Sequence, residues 1–304
     1  MTAFYERVDA YELLGAGGLD ETLDYLDTVA AGNSAAKAAV DIALHDLFGK
    51  EGSVSVRELF GENGLSDTGP GAGERKTRGP GTSFTIGIDS IETMVQKAKG
   101  AHGFKTLKIK LNGRNDVDVI AAIRSVTDQQ LYVDANRGWD DIDTAIRTCE
   151  RLVELGVGLI EQPFRQGEAE KAGVLRDICP VPIVADEDVQ TIDDIESLAG
   201  FYDGINVKLM KAGGIRGALR MIRAARMSGL KVLLGCMTES SIGISAAAQL
   251  AHLADWCDLD GNLLIENDTC VGVKTIDGEL KIKDTPGIGI TDDSALAELF
   301  KPDE

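Results

Sequence analysis

Charged residues close one apolar run after another through the middle of the chain. Lys108-Ile109-Lys110 ends the first, Asp134-Ala135-Asn136 the next, then Glu161-Gln162-Pro163 and Asp186-Glu187. Lys208 follows, with Lys211 one turn later, and leads into Ala212-Gly213-Gly214. From 110 to 134, 161, 186 and 208 the steps are 24, 27, 25 and 22 residues, each the length of one strand-plus-helix unit. Successive side chains therefore return to the same rim. Period-two alternation puts Lys108 and Lys110 on one face of their strand. Three carboxylates with no histidine or cysteine among them make a hard oxygen site, suited to Mg²⁺ rather than zinc. A lysine on either side gives such a site a use. A proton on the carbon beside a carboxylate is too weakly acidic for a free amine to remove, but a divalent cation on the carboxylate oxygens stabilises the enediolate left behind. A partly desolvated lysine beside another cation falls from its usual pKa of about 10.4 towards neutrality and can act as the base. Lys108 and the metal are the perturbers of Lys110. Two such bases on opposite faces permit epimerisation: one takes the proton, the other supplies it from behind. Taken singly, Lys-x-Lys fits a solvated strand face, Glu-Gln-Pro an ordinary strand end, and Asp-Ala-Asn a turn or helix cap. Together, in order and at this spacing, they point to function.

The elements that must position these groups follow one pattern. Short apolar strands are expected at 84–88, 106–111, 131–135, 158–161, 183–186, 204–208, 232–236 and 256–258, bounded by Gly, Asn and Asp. The helices between them carry apolar residues at i, i+3 and i+4 spacing, as in Ala218, Met221, Ile222 and Ala225. Eight strands alternating with helices make a TIM-like barrel or a doubly wound sheet, and the regular repeat favours the barrel. Active sites of such barrels lie at the C-terminal ends of the strands, where the charged residues fall. Before the barrel, helices are expected over 19–30 and from an Asn33 N-cap to Gly49. Residues 61–81, rich in Gly and Pro, read as a flexible connection. After the barrel come strand-like pieces at 271–276 and 280–282 and a Pro-Gly turn at 286–287, which would need a partner outside the barrel.

Bulk properties narrow the partners. The 304-residue chain is 43% hydrophobic and 27% charged, an ordinary globular composition. Its net charge of −19 repels phosphate backbones and anionic lipid, so neither nucleic acid nor membrane is expected as a partner. No run of eighteen apolar residues and no signal-peptide core over residues 1–10 is present, so a cytoplasmic location is expected. Cys149, Cys179, Cys236, Cys257 and Cys270 are odd in number and lack CxxC spacing, and read as reduced thiols with neither disulfide framework nor zinc site.

The motifs TLKIK (106–110), DANRGW (134–139), EQP (161–163), ADE (185–187) and NVKLMKAGG (206–214) resemble the enolase superfamily, specifically its muconate-lactonizing subgroup; lysine bases with Mg²⁺ are a known property of that superfamily. The resemblance implies a modified (β/α)₇β barrel over 82–262, with residues 1–81 forming a partial capping domain and linker and 263–304 returning to the cap. It makes Asp134, Glu161 and Asp186 the metal ligands, Lys110 and Lys208 the two bases, and Lys108 a residue that helps hold the substrate carboxylate. Asp258-Leu259-Asp260, at the end of the last strand, looks like the dipeptide epimerases, in which the pair receives the free α-ammonium of the substrate. Two carboxylates on one strand face suit a primary ammonium; the plainer reading is a solvated acidic turn. By the same likeness Thr85 and Cys236 line the substrate pocket, though Cys236 serves equally as a small buried residue. The glycines of the Gly213-Gly214 and Gly217 stretch belong to this pattern rather than to a nucleotide site, and His45, His102 and His252 fall away from the rim and read as structural.

The likeness starts late. The segment 43–50 looks like the end of the family's cap helices, and the antiparallel strands that precede those helices have no counterpart before Met1. Three readings follow. The first is a dipeptide epimerase, on a substrate such as L-Ala-D/L-Glu. The second is a muconate cycloisomerase or o-succinylbenzoate synthase, whose substrates lack the ammonium and leave Asp258 and Asp260 unexplained. The third is a catalytically silent truncated barrel acting as a binding module. Self-association is implied by the resemblance alone.

Overall fold

The computed structural model describes residues 2–15, 17–60 and 81–298. The connection expected over 61–81 lies, apart from Gly81, outside the described residues. Strands β1 (Ser83–Ile86), β2 (Thr106–Lys110), β3 (Gln130–Asp134), β4 (Val157–Glu161), β5 (Ile183–Ala185), β6 (Gly204–Lys208), β7 (Lys231–Gly235) and β8 (Trp256–Asp258) hydrogen-bond in sequence order. Every pair is parallel. Strict sequence order, with no reversal, excludes a doubly wound sheet. The two edges meet, where Ser83 Oγ donates to Asp258 (2.7 Å) and Leu259 N–H donates to Thr82 Oγ (2.7 Å). Helices follow β1 to β7, while β8 runs into a 3-10 turn, Gly261–Leu264. This is the expected (β/α)₇β barrel.

Alternation builds it in layers. Leu131, Val133, Ile160, Ile183, Ile205, Val207, Val232 and Leu234 pack outward into the main core under the helices. The intervening residues point inward, where Leu159, Val184 and Leu233 cluster with Tyr132 and Trp256. That apolar plug fills the lower barrel, and the charged strand ends stand one layer above it. The helix Ile142–Glu154 shows how each outer element is fixed: Asp141 caps its N-terminus by accepting from Thr144 N–H, and Ala145, Cys149 and Leu152 form its buried stripe. Each large aliphatic side chain so buried stabilises the fold by roughly 1.5–3 kcal/mol.

The helix Ser34–Gly52 packs on the barrel's β6 side and runs three residues past the expected stop at Gly49. Asn33 precedes it with φ +55°, without the side-chain cap bond expected of it. Asp41 on this helix accepts from Ile215 N–H (2.5 Å), where Gly214 has φ +119° and any Cβ would strike the Asp41 side chain. The Gly-rich stretch thus serves helix packing. After the barrel, β9 (Lys274–Ile276) and β10 (Glu279–Lys281) pair with each other outside the barrel sheet, with single bridges from Glu279 to Gly81 and from Val271 to Asp292. Their turn, Asp277-Gly278, has positive φ at both residues, as a tight two-residue hairpin requires. The cysteine reading needs one correction: Cys149, on the helix Ile142–Glu154, and Cys179, just past the end of the neighbouring helix Ala169–Ile178, are joined as a disulfide, while Cys236, Cys257 and Cys270 are free. Sequence spacing conceals the pair because the barrel's wrapping, not chain proximity, brings the two helices together. Among the described residues no helix is long and apolar enough to cross a membrane.

Candidate active site

All the charged strand ends open on one rim. Asp134, Glu161 and Asp186, at the ends of β3, β4 and β5, are buried and each offers an oxygen within 4.8 Å of the others. Eight strands in sequence order put β2 and β6 half a turn apart, so Lys110 and Lys208 flank this cluster from opposite sides. Lys110 Nζ lies 2.6 Å from Asp134 Oδ2, and Lys208 Nζ 2.7 Å from Asp186 Oδ2. Lys108, only 3% exposed, reaches Glu161 Oε2 and Asp258 Oδ2, both at 2.7 Å, and Asp134 at 3.4 Å. Beyond it on the far arc, β8 and β1 carry Asp258, Asp260 and Thr85. Thr85 donates its N–H to Asp260 Oδ2 (2.6 Å) and its hydroxyl to both aspartates (3.3 and 3.2 Å). Cys236 follows β7, half-buried beside this pair.

Several residues of the site were not singled out from sequence. Asn206 donates to Glu161 Oε1 (2.8 Å) from two residues before Lys208, where alternation would have found it. Gly235 opposite makes room, since a Cβ there would collide with the Asn206 carboxamide. Ser83 stands likewise two before Thr85 and holds Asp258. Lys211, noted in the sequence but without a role, donates to the Asp186 carboxylate and carbonyl (both 2.8 Å) and to Val189 O (3.0 Å). Only the tertiary fold reveals that bracing.

Charge and burial compete throughout. Burial opposes the charge on Lys108, yet Asp258, Glu161 and Asp134 hold its pKa well above the lysine range. For Lys208 burial also works downward, but Asp186 and Glu161 outweigh it and the pKa rises. The carboxylates crowd its ammonium, opposite to the lowering that base chemistry needs. Asp186, penalised by burial, is still held below the carboxylate range by Lys211 and Lys208. Burial, then Asp134, pushes Glu161 up to about 7, and burial, then Asp258, pushes Asp260 to about 7. The cluster fits a divalent cation: it offers only oxygens, and Glu161 Oε2, though 2.7 Å from the Lys108 ammonium, is buried without an aligned hydrogen bond. A hard cation suits that orphaned oxygen.

Comparison with known proteins agrees with this geometry. A pattern described as Enolase C-terminal domain-like matches residues 91–296, and one described as Mandelate racemase / muconate lactonizing enzyme, N-terminal domain, matches residues 16–61. The chain belongs to the enolase superfamily. Within it, an L-Ala-D/L-Glu epimerase of Bacteroides thetaiotaomicron is 41% identical over 288 residues, covering 94% of this chain and 72% of that protein. A dipeptide epimerase of Enterococcus faecalis, solved with Mg and the dipeptide L-Leu-L-Tyr, superposes with a TM-score of 0.81 at 30% identity, over 95% of this chain and 81% of its own. A muconate lactonizing enzyme superposes equally well, with a TM-score of 0.82 at 28% identity, over 98% of this chain and 85% of its own. Backbone likeness therefore does not separate the two activities within this superfamily; side chains at the rim must.

Proposed function

We propose that this enolase-superfamily chain is a Mg²⁺-dependent dipeptide epimerase that inverts the α-carbon of the C-terminal residue, with a substrate of the L-Ala-D/L-Glu kind. The observation that carries the reading is Asp260. Asp258 is matched by the Lys108 ammonium, whereas the Asp260 carboxylate is buried and, among the described residues, accepts hydrogen bonds only from the neutral donors of Thr85. A carboxylate so placed calls for a cation, and the free ammonium of a dipeptide supplies one. Muconate-type acids have none to offer.

In this reading Asp134, Glu161 and Asp186 hold the ion, which when bound supplies positive charge against the charge that grows on the substrate carboxylate. Lys108 steadies that carboxylate. One of Lys110 and Lys208, as a free amine, takes the α-proton, and the C–H electron pair passes into the carboxylate. The other, as an ammonium, gives its proton to the opposite face, and the electron pair returns to form the new C–H bond. Thr85 orients Asp258 and Asp260, and Cys236 borders the side-chain pocket. Residues 82–262 would form the catalytic barrel, 1–81 a partial capping domain with its linker, and 263–304 a segment returning to the cap; Asp46 accepting from Ile288 N–H (3.0 Å) supports that return.

Incubation with Mg²⁺ and a dipeptide panel in D₂O tests the proposal: deuterium should enter the α-position and the epimer should accumulate. Exchange with ammonium-free acids but not with dipeptides would favour a cycloisomerase. No exchange despite bound metal would indicate a silent barrel.

A further inference from the structure

Gln162 stands between two of the clustered carboxylates. It follows Glu161, is fully buried, and has its backbone in the left-handed region at φ +37°. For a residue with a side chain that conformation costs ~1–3 kcal/mol and persists only where surrounding contacts enforce it. The turn carries the carboxamide across to the end of β5. There Oε1 accepts from the N–H groups of Asp186 (2.8 Å) and Asp188 (3.2 Å). Nε2 donates to Phe164 O (3.0 Å) and to Asp188 Oδ2 (3.2 Å). The main chain is used as fully: Gln162 N–H donates to Val184 O (2.9 Å), and its carbonyl accepts from Arg137 N–H (2.8 Å). One residue thus ties together the three strand ends that present Asp134, Glu161 and Asp186. Behind it the Tyr202 hydroxyl donates to Asp188 Oδ2 (2.5 Å) and holds that carboxylate against the carboxamide.

We propose that Gln162 is a positioning residue that sets the separation of Glu161 and Asp186, and through it the affinity and size preference of the cation site; the inference rests on the metal reading above. An amide is the group the surroundings demand. Its oxygen takes two N–H donors while its nitrogen meets a carbonyl and a carboxylate. Glutamate, equal in size, would keep the first pair and turn the second into repulsion between acceptors.

The test is calorimetric titration of the metal-stripped full chain with Mg²⁺ and, separately, with the larger Ca²⁺. Wild type is compared with Gln162→Glu and with Tyr202→Phe. The second leaves the carboxamide in place and removes one of the bonds that hold Asp188, the other donors being Gly167 N–H and the carboxamide itself. Gln162→Glu is expected to weaken Mg²⁺ binding by ~10–100-fold, the usual effect of losing a partner that orients a ligand, and to narrow the preference for Mg²⁺ over Ca²⁺. Tyr202→Phe should act in the same direction by a smaller factor. A merely structural role would lower the unfolding temperature and leave the cation preference of the folded protein unmoved. Wild-type affinity and preference in both variants would overturn the inference, and if Gln162→Glu does not fold, Tyr202→Phe alone decides it. A wild-type chain that binds no Mg²⁺ would sink the metal reading itself, a result distinguishable from variants that match a metal-binding parent.

Discussion

Lys110 and Lys208 each rest on a different carboxylate of the cluster, one at Asp134 and the other at Asp186. If they address opposite faces of one carbon, each should be needed for inversion and neither for proton removal from both epimers. Lys110→Ala and Lys208→Ala are each expected to lower epimerisation by ~10²–10⁴-fold, while each variant still washes the α-proton of one epimer into D₂O. Full turnover in either variant, followed by NMR, would remove that lysine from the chemistry. Across the rim, Asp260→Asn deletes a charge-assisted bond worth ~1.5–3 kcal/mol. The dipeptide KM should rise by roughly 10–100-fold at that cost, with little change for analogues whose amine is acylated. An equal effect on acylated and free dipeptides would show that Asp260 does not read the ammonium.

At the scale of elements, two periodicities do the positioning. Alternation along each strand divides outward residues from inward ones, so on β6 Asn206 and Lys208 share the inner face with Gly204 while Ile205 and Val207 hold the helices. A helix stripe such as Ala218, Leu219, Met221, Ile222 and Ala225 then clamps each strand from behind. The helix Ser34–Gly52 depends instead on close approach at Gly214, where a methyl group meets both a positive φ and the Asp41 side chain. Gly214→Ala should therefore destabilise the protein by ~1–3 kcal/mol, read as an earlier urea midpoint. An unchanged midpoint would mean that this helix tolerates displacement from the barrel.

For the molecule as a whole, carboxylates outnumber cations, with a net charge of −19, and at the buried rim three of them converge on one point. A divalent ion that binds only the folded chain must stabilise it: at a concentration one hundred times its dissociation constant the gain is ~2.7 kcal/mol. Unfolding scans should show a higher midpoint in Mg²⁺ than in EDTA, and Glu161→Gln should abolish the difference. Equal midpoints for the unaltered protein would argue against a cation in this cluster.

By itself the sequence marked eight strand-plus-helix units, favoured the barrel, and identified the charged residues that close its strands. Strand alternation and the length of a strand-plus-helix unit are local properties, and Lys110, Asp134, Glu161, Asp186 and Lys208 sit at their fixed phases. What only the tertiary structure decided was pairing between distant segments. It joined Cys149 to Cys179, folded β9 onto β10, seated Lys211 under Asp186 and threw Gln162 across to the next strand. Such contacts depend on how the barrel closes and on single backbone turns such as φ +37° at Gln162. No period along the chain encodes them, because their energy comes from groups that meet only once the barrel has closed.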